Sequence, residues 1–180
     1  MDADGAVAAL YLTQYKPLVR MAALLVGDLA TAEEIVQDSF VAVHAAWHTL
    51  PDTDRALSYL HRSVVNRSRA VNRSRAVDRS RAVNRSRAAP RQHVAVGRSA
   101  FVSALWTLPA RQREVVVLRY FAGLPETQVA SAVGISQGAV RAHVTRAMSS
   151  LHAELRTADE RDSATDSALG DHRTDGGEPS

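Results

Sequence analysis

Five polar side chains between residues 137 and 146 are spaced so that they fall on one side of a helix. These residues are Gln137, Arg141, His143, Thr145 and Arg146. Their amide, guanidinium, imidazole and hydroxyl groups donate hydrogen bonds of the kind that reach base edges and phosphates in the major groove of DNA. The pattern therefore predicts a DNA-reading helix whose N-terminal half leads into the groove.

The surrounding stretch, residues 123–151, has the order of signals that is typical of a helix-turn-helix. A first helix opens at Pro125, which is tolerated there because an opening position needs no backbone N–H. Gly134 ends that helix, and Ser136 is a good N-cap for the second one. One apolar stripe runs along the second helix, formed by Val140, Val144, Ala147, Met148 and Leu151. An antiparallel helix pair with a solvated basic face is the alternative interpretation.

Length and composition limit the possible classes of protein. The 180 residues can form one domain of ordinary size or two small helical ones. The absence of cysteine excludes disulfides and thiolate metal sites. No apolar run is long enough to span a bilayer, and no basic segment followed by an apolar core opens the chain. We therefore expect a cytoplasmic protein with no membrane span.

The formal charge of +3 is distributed unevenly along the chain. Residues 66–91 contain nine arginines and one aspartate, a net charge of +8, so the remainder carries −5. A basic middle between acidic parts favours a nucleic-acid partner, although basic surfaces also occur without one.

Before this basic middle, apolar periodicity predicts three helices that can close a small core. The first covers residues 6–26. The second is expected to begin at Ala32, after a capping box formed by Thr31 and Glu34. Its apolar seam is Ile35, Val36, Phe40, Val43 and Trp47. The third helix covers residues 55–66 and is expected to turn polar side chains outward: Tyr59, His61, Arg62, Asn66 and the adjoining Arg67.

The second helix also has an outer face with two features of interest. That face presents Glu33, Glu34, Gln37, Asp38 and Val41, which from the residues alone is either a partner-binding surface or an ordinary solvated face. His44 and His48 lie four residues apart, a spacing that permits a shared metal ion. Because no third ligand follows at helical spacing, we expect two ordinary histidines and no metal site.

A hexapeptide repeat occupies the basic middle. The sequence VNRSRA at residues 65–70 recurs at 71–76, as VDRSRA at 77–82, and again as VNRSRA at 83–88. Each step of six residues rotates the valine by about 600° around a helix, so no apolar stripe can form. The repeat is therefore expected to be a lone solvated helix, a disordered basic tether, or a segment ordered against a polyanion. A nucleic-acid patch and a duplicated linker with no added role both fit its composition.

After the repeat, the pattern predicts a four-helix unit and then a tail. Two helices at residues 98–108 and 111–121 precede the helix-turn-helix pair, and the unit ends near Arg156. Residues 157–180 contain seven acids and two arginines without apolar periodicity, which predicts a disordered acidic tail. The fold class predicted from these elements is all-α, with two small helical domains joined by a basic linker.

Three of these segments carry a family resemblance. Residues 18–40 (LVRMAALLVGDLATAEEIVQDSF), 55–69 (RALSYLHRSVVNRSR) and 108–151, which contain LPARQREVVVLRYF and the helix-turn-helix, resemble bacterial sigma factors of the extracytoplasmic-function group, close to the SigE-like class of actinobacteria. The resemblance implies sigma region 2 at residues 6–70, a linker at 71–97 and sigma region 4 at 98–156. It implies a promoter-specificity subunit of RNA polymerase with no catalytic residue and no cofactor.

The resemblance also implies roles for particular residues. The helix that docks on the clamp helices of the largest polymerase subunit would contribute Glu34, Gln37, Asp38 and Val41. The minus-ten element, including an unstacked base, would be held by Asp52, Asp54, Tyr59, His61, Arg62, Asn66, Arg67 and Arg69. The minus-35 element would be contacted by Ser136, Gln137, Arg141, Ala142, His143, Thr145 and Arg146. The partners implied are core polymerase, promoter DNA and an anti-sigma protein.

Two residues depart from the usual family pattern. Pro125 stands where a Ser or Thr cap is usual, and His143 stands where Arg, Lys or Gln is common.

Two other classes of function are the alternatives to a sigma factor. A stand-alone helix-turn-helix regulator would bind duplex DNA on its own, as a dimer on spaced half-sites. An enzyme is not favoured, since the chain has no phosphate loop and no Ser/His/Asp constellation.

Overall fold

The computed structural model describes residues 3–50, 52–83 and 100–170, with side chains described within 4–50, 52–80 and 100–161. Within these ranges every regular element is helical and there is no strand, which confirms the predicted all-α class. The predictions for residues 84–99 of the linker and 171–180 of the tail lie outside the described residues.

The described ranges contain seven α-helices and two short helical turns. The α-helices are α1 Ala3–Val26, α2 Leu29–Ala46, α3 Thr53–Val83, α4 Ala100–Thr107, α5 Ala110–Val116, α6 Glu126–Val133 and α7 Gln137–Gly170. A 3₁₀ turn, Trp47–Thr49, follows α2, and a π-helical turn, Val117–Phe121, continues α5. We call α1–α3 the N-terminal unit and α4–α7 the C-terminal unit.

The N-terminal unit is a three-helix bundle built on the predicted apolar seams. Its largest fully buried side chains include Leu18, Met21, Leu25, Leu60 and Val64. The predicted seam of α2 is buried as far as Val43, while Trp47 is half-buried at the rim. Each of these large side chains contributes about 1.5 to 3 kcal/mol by leaving water, so the bundle holds α2 and α3 in fixed register.

The start of α2 differs from the prediction. The helix begins at Leu29, because the Asp28 carboxylate accepts a hydrogen bond of 2.8 Å from the Thr31 backbone N–H and acts as the N-cap. The predicted capping box of Thr31 and Glu34 is therefore wrong. Gly27, at φ +85°, makes the turn that places Asp28 at this position.

The hexapeptide repeat also differs from the prediction, since its first two copies pack against the bundle. Val65 and Ser68 are buried, and Val71 is half-buried. In the second copy, the Asn72 amide donates to the Leu25 carbonyl at 3.0 Å and Arg75 donates to the Val26 carbonyl at 2.7 Å. These carbonyls end α1 and lack helical partners, so polar side chains anchor the segment although its period forbids an apolar stripe.

The C-terminal unit contains the predicted helix-turn-helix. Gly134 adopts φ 75° and ψ 44°, which ends α6 in the left-handed conformation that glycine favours. Pro125 precedes α6 as its N-cap residue, without a capping side chain. Val129 of α6 and Val140 and Leu151 of α7 are buried, as the sequence pattern predicts.

The two units pack against each other. Helix α6 lies against α3, and the π-helical turn lies against α1. A β-carbon placed on Gly27 would lie 2.9 Å from Cζ2 of Trp106, so the tryptophan of α4 sits directly on the turn between α1 and α2. The buried residues of both units form one contiguous hydrophobic cluster.

The C-terminal part of α7 is longer than expected. Residues 157–170, predicted to begin a disordered tail, are helical as far as Gly170. A helix that is already anchored by packing can extend without a new nucleus, because each added residue gains one hydrogen bond.

Candidate nucleic-acid interface

Four residues of α2 form one exposed stripe along the helix. Glu34, Gln37, Asp38 and Val41 are all exposed and follow the i, i+3, i+4, i+7 spacing of a single face. Val41 is 69% exposed, which is high for a branched apolar side chain in a packed bundle. The stripe therefore offers two acidic groups, an amide and an apolar contact to a partner.

Beside this stripe, α3 carries a groove of about 460 Å³, which we call the α3 groove. It is lined by Tyr59, Arg62, Ser63, Asn66 and Arg67, four of which are among the predicted minus-ten residues. A tyrosine ring, an amide and two guanidinium groups at one concave surface are suited to stack and rim an unpaired base. The residues arrive there because they recur at i, i+3, i+4, i+7 and i+8 on one helix.

An ion pair connects the α3 groove to the α2 stripe. Arg67 Nη1 lies 2.8 Å from Asp38 Oδ2, and both side chains are partly exposed to solvent. Such a pair is weak in water, so it leaves both groups able to exchange for a phosphate or a partner side chain.

Two further residues of the predicted minus-ten set lie at the start of α3. The Asp52 carboxylate accepts a hydrogen bond of 2.8 Å from the Arg55 backbone N–H and so caps the helix. Asp54 is exposed and lines a cleft of about 480 Å³ between α3 and α6. The structure therefore gives Asp52 a local structural task and leaves Asp54 accessible.

His61 and Arg69 are not turned toward the α3 groove. His61, expected to face outward, is only 6% exposed, and burial lowers the pKa of its imidazole despite a hydrogen bond with the backbone of Leu57 that raises it. Arg69, expected to contact phosphate, donates to both Glu114 carboxylate oxygens at 2.8 and 2.7 Å. Both side chains lie on the side of α3 that faces the C-terminal unit, a position set by tertiary packing rather than by local sequence.

In the helix-turn-helix, the first turn of α7 presents polar groups as predicted. The Ser136 hydroxyl accepts from the Ala139 backbone N–H at 3.2 Å and caps the helix. Arg141, Thr145 and Arg146 are exposed, with Arg141 Nε 3.0 Å from a carboxylate oxygen of Glu126 in α6. This contact holds the Arg141 guanidinium beside the start of α6 and leaves it exposed to solvent. Gln137 is exposed beside the cap, and Ala142 is half-buried.

His143 is placed differently from its predicted neighbours. The residue is half-buried, and its Nδ1 is buried without a hydrogen-bond partner in the part of the chain that the structure describes. His143 is therefore less accessible than Arg141, Thr145 and Arg146, and its contact with the minus-35 element stays a prediction.

Several functional contacts could not be found in the sequence beforehand. Glu114 pairs with an arginine 45 residues earlier, and no local signal marks it. The repeated Asn-x-x-Arg spacing marks Asn72 and Arg75 in the sequence, but it does not indicate which copy of the repeat lies beside the end of a helix.

The histidine pair of α2 has a different environment. His44 lies 2.7 Å from Asp4, and the described residues contain no group of three or more potential metal ligands.

Comparison with known proteins identifies the family. Residues 10–77 match sigma-70 region 2, and residues 98–151 match sigma-70 region 4. The chain belongs to the sigma-70 family of RNA polymerase sigma factors. The resemblance to extracytoplasmic-function sigma factors is thereby confirmed, and a stand-alone regulator is not favoured. As a sigma factor, the chain is a promoter-recognition subunit of RNA polymerase.

The relatives of this sigma factor are similar over most of its length. It is 29% identical to the RNA polymerase sigma-E factor of Streptomyces coelicolor, over 79% of this chain and 82% of the relative. It is also 29% identical to the protein of the same name in Streptomyces avermitilis, over 82% and 83%.

Two solved structures share the fold. They are the sigma factor RpoE of Bartonella quintana in complex with the anti-sigma factor NepR (TM-score 0.62, 23% identity, 83% of this chain and 96% of that one) and CnrH in complex with the cytosolic domain of CnrY (TM-score 0.63, 24% identity, 86% and 95%). Among the helices that the structure describes, none combines the length and the apolar character that a membrane span requires.

Proposed function

We propose that this sigma factor recognises promoters through three separate surfaces. The α2 stripe binds the clamp helices of core polymerase, the α3 groove holds an unstacked base of the minus-ten element, and the exposed face of α7 contacts the minus-35 element. The observation that carries the proposal is the α3 groove, since it brings an aromatic ring, an amide and two cations together beside the α2 stripe. Residues 77–97 then serve as the connection between the two DNA-contacting units.

The α3 groove has the chemistry that single-stranded DNA requires. Stacking a base on an aromatic side chain contributes about 1 to 3 kcal/mol, and it becomes available only after the base leaves the duplex stack. Tyr59 is 38% exposed and lines the groove, so part of its ring is accessible to a base. Arg62 and Arg67 at the rim attract the flanking phosphates, and this attraction weakens with salt.

The α7 face has the chemistry for duplex DNA. Exposed guanidinium groups at Arg141 and Arg146 can donate to guanine edges or phosphates, and Gln137 adds an amide. The Glu126 carboxylate that pairs with Arg141 in the free protein is exchanged for DNA on binding. Ser136 and the first backbone N–H groups of α7 suit a phosphate, because the positive end of the helix dipole lies there.

Other parts of the proposal concern partners and setting. We propose that this sigma factor has no catalytic activity of its own and acts in the cytoplasm, where core polymerase transcribes. We also propose an anti-sigma protein as a partner, since the sigma factor RpoE of B. quintana is held by such a protein in its solved structure.

The test of the α3 groove is a Tyr59→Ala substitution. The promoter sequence is first selected from a random library by core polymerase together with this chain. We then expect the complex of core polymerase with the Tyr59→Ala chain to bind fork-junction DNA of that promoter, with unpaired minus-ten bases, about tenfold more weakly. Tyr120→Ala is the matched control, because Tyr120 is an exposed tyrosine of the π-helical turn outside the three surfaces. Equal affinity of the Tyr59 and Tyr120 variants would refute the assignment of the groove.

A further inference from the structure

In the first two copies of the hexapeptide repeat, the second arginine of each copy serves as an anchor. Arg69, in the first copy, donates to a carboxylate of α5 and to the Val133 carbonyl at 3.0 Å. Arg75, in the second copy, donates to the carboxylate that precedes α2 and to the Val26 carbonyl at 2.7 Å. Val133 and Val26 are the last residues of α6 and α1, where backbone carbonyls lack helical partners. Both anchors therefore attach the repeat to a helix end.

The first arginine of each of these copies is turned outward instead. Arg67 keeps 39% of its side chain exposed, and its contact with Asp38 is the weak ion pair described above. Arg73 is exposed, and it has no hydrogen-bond or ion-pair partner among the residues that the structure describes. Each copy thus combines one cation that is used by the fold with one that is available to a partner.

The backbone at Arg73 is fixed because anchoring residues lie on both sides of it. Asn72 donates to the Leu25 carbonyl at 3.0 Å, and Arg75 donates to the Val26 carbonyl. These two bonds join α3 to the end of α1 in the same turn of helix that carries Arg73. An arginine on a fixed backbone loses less conformational freedom on binding than one on a mobile tether, so its contact with a partner is stronger.

Helical geometry places Arg73 in line with the α3 groove. Tyr59, Asn66 and Arg73 recur every seven residues, which is close to two full turns of a helix. Arg62 and Arg73 are eleven residues apart, which is close to three turns. All four side chains are exposed. The exposed face that begins at the groove therefore continues without a break into the second copy of the repeat.

The distance from the groove shows which part of the DNA Arg73 can reach. Fourteen positions separate Tyr59 from Arg73, which is about 21 Å along the helix axis. B-form DNA rises about 3.4 Å per base pair, so this length corresponds to about six base pairs. Arg73 is therefore too far away to contact the base held in the groove, but it can reach a phosphate of the adjoining duplex.

The order of the elements gives the direction of this duplex. Helix α3 leads into the linker, and the linker leads to the helix-turn-helix of the C-terminal unit. The minus-35 element, which that unit is proposed to contact, lies upstream of the minus-ten element. The C-terminal end of α3 therefore points upstream along the promoter, and the duplex within reach of Arg73 is the one upstream of the minus-ten element.

We propose that Arg73, supplied by the second copy of the hexapeptide, binds a backbone phosphate of the upstream duplex about six base pairs from the base held in the α3 groove. The contact positions the duplex and reads no base, because a phosphate carries no sequence information. This inference rests on the function proposed above, since the base in the groove is its point of reference.

The test measures how tightly the complex of core polymerase with this chain binds fork-junction DNA at several salt concentrations. The DNA has unpaired minus-ten bases and a long upstream duplex. We expect Arg73→Ala to weaken binding about fivefold at low salt. The slope of log affinity against log salt should become shallower by about one, since one phosphate contact is lost. On DNA whose upstream duplex ends before the proposed phosphate, the substituted and unsubstituted chains should bind equally.

Matched variants assign the effect to the position of Arg73. Arg79 has the same place in the third copy and is also exposed, but six residues of helix rotate it by about 240° away from the line of the groove. We therefore expect Arg79→Ala to leave binding unchanged on both DNAs. Arg73→Lys should keep most of the affinity, because a phosphate accepts a lysine as a point charge. An uncharged methylphosphonate at the proposed phosphate should weaken binding by the unsubstituted chain and have no further effect on Arg73→Ala.

The outcomes separate this inference from the proposed function. Equal losses in Arg73→Ala and Arg79→Ala would overturn it, because a general attraction of DNA to a basic helix would explain both. Weaker retention of the Arg73→Ala chain by core polymerase without DNA would also overturn it, since the arginine would then bind polymerase. If Tyr59→Ala loses affinity and Arg73→Ala does not, the groove is supported and the upstream contact is wrong. If the complex with the unsubstituted chain does not bind fork-junction DNA, both proposals are wrong.

Discussion

Arg75 provides the sharpest test of how the repeat is held, because it lies in the second hexapeptide copy and bridges two helices. Its guanidinium donates to the Val26 carbonyl at 2.7 Å, to Asp28 Oδ2 at 2.6 Å and to the Thr31 hydroxyl at 2.8 Å. Burial alone would raise the pKa of the Asp28 carboxyl. The hydrogen bond from the Thr31 backbone N–H and the Arg75 guanidinium outweigh burial and hold that pKa below its usual range.

The magnitude of Arg75→Ala follows from these contacts. The two hydrogen bonds to neutral oxygens contribute about 0.5 to 1.5 kcal/mol each. The ion pair with Asp28 adds about 0.5 to 1 kcal/mol, since the Arg75 side chain is 40% exposed. Alanine costs nothing in helix propensity at an α3 position. We therefore expect Arg75→Ala to lower the free energy of unfolding by about 1.5 to 4 kcal/mol.

The assay is urea unfolding followed by far-UV circular dichroism, with Arg73→Ala as the matched control. Arg73 lies in the same hexapeptide copy and is exposed, so its removal should change stability by less than about 0.5 kcal/mol. Protonating Asp28 at low pH should reduce the difference between the two variants by the ion-pair share of about 0.5 to 1 kcal/mol, because the stabilisation by a carboxyl of lowered pKa is lost as pH falls through that pKa. The part that comes from the hydrogen bonds to the Val26 carbonyl and the Thr31 hydroxyl should remain. Equal stabilities of the two variants near neutral pH would refute the anchoring of the repeat.

Two further predictions concern His61 and the DNA-reading face of α7. Burial lowers the pKa of His61 in the folded chain. Below about pH 6.5 the unfolded chain therefore binds a proton at His61 that the folded chain does not bind, and the free energy of unfolding falls as the pH is lowered. His61→Gln should reduce the loss of urea stability between pH 7.5 and 5.5, and an unchanged loss would contradict this role. Arg141→Ala and Arg146→Ala should each weaken binding of minus-35 duplex by about 1 to 3 kcal/mol, measured by competition with single-base variants. Arg156→Ala, on the same helix beyond the motif, is the control. If the variants lose the same affinity for every DNA sequence, Arg141 and Arg146 contact phosphates only, and the predicted base contacts are wrong.

The fold was predictable wherever local patterns determine structure. The seam of Ile35, Val36 and Phe40 is buried as its helical spacing predicts, and Gly134 takes the left-handed conformation that the turn requires. Ser136 caps α7, as expected for a hydroxyl before a helix. These features depend on residues within one or two helical turns of each other.

The differences arise where distant parts of the chain meet. Thr31 was the predicted cap, whereas Asp28 caps α2 in the structure, and its contact with Arg75 favours this earlier start of the helix. The repeat was expected not to pack because its valines form no stripe, yet its polar side chains satisfy the carbonyls at the end of α1. His61 and Arg69 were expected to be accessible because their helical positions are polar, but the C-terminal unit covers that side of α3. A single sequence holds no local signal for such contacts.

The candidate interface was also predictable only where its residues lie on a single helix. The α2 stripe and the α3 groove each lie on one helix, so helical spacing alone brings their members together. The roles of these residues in binding polymerase and DNA stay predictions, because they depend on surfaces of partners. The contact between Arg69 and Glu114 joins residues that are 45 positions apart in the sequence, so only the three-dimensional structure could show it.

The most direct test of the central claim is multi-round transcription with purified core polymerase over a random promoter library, with and without this chain. We expect the chain to be retained by core polymerase and to direct initiation at a defined set of start sites that core enzyme alone does not use. A chain with both Gln37→Ala and Asp38→Ala should lose retention and those transcripts together. Start sites that are the same with and without the chain, or failure of the chain to associate with core polymerase, would contradict the account.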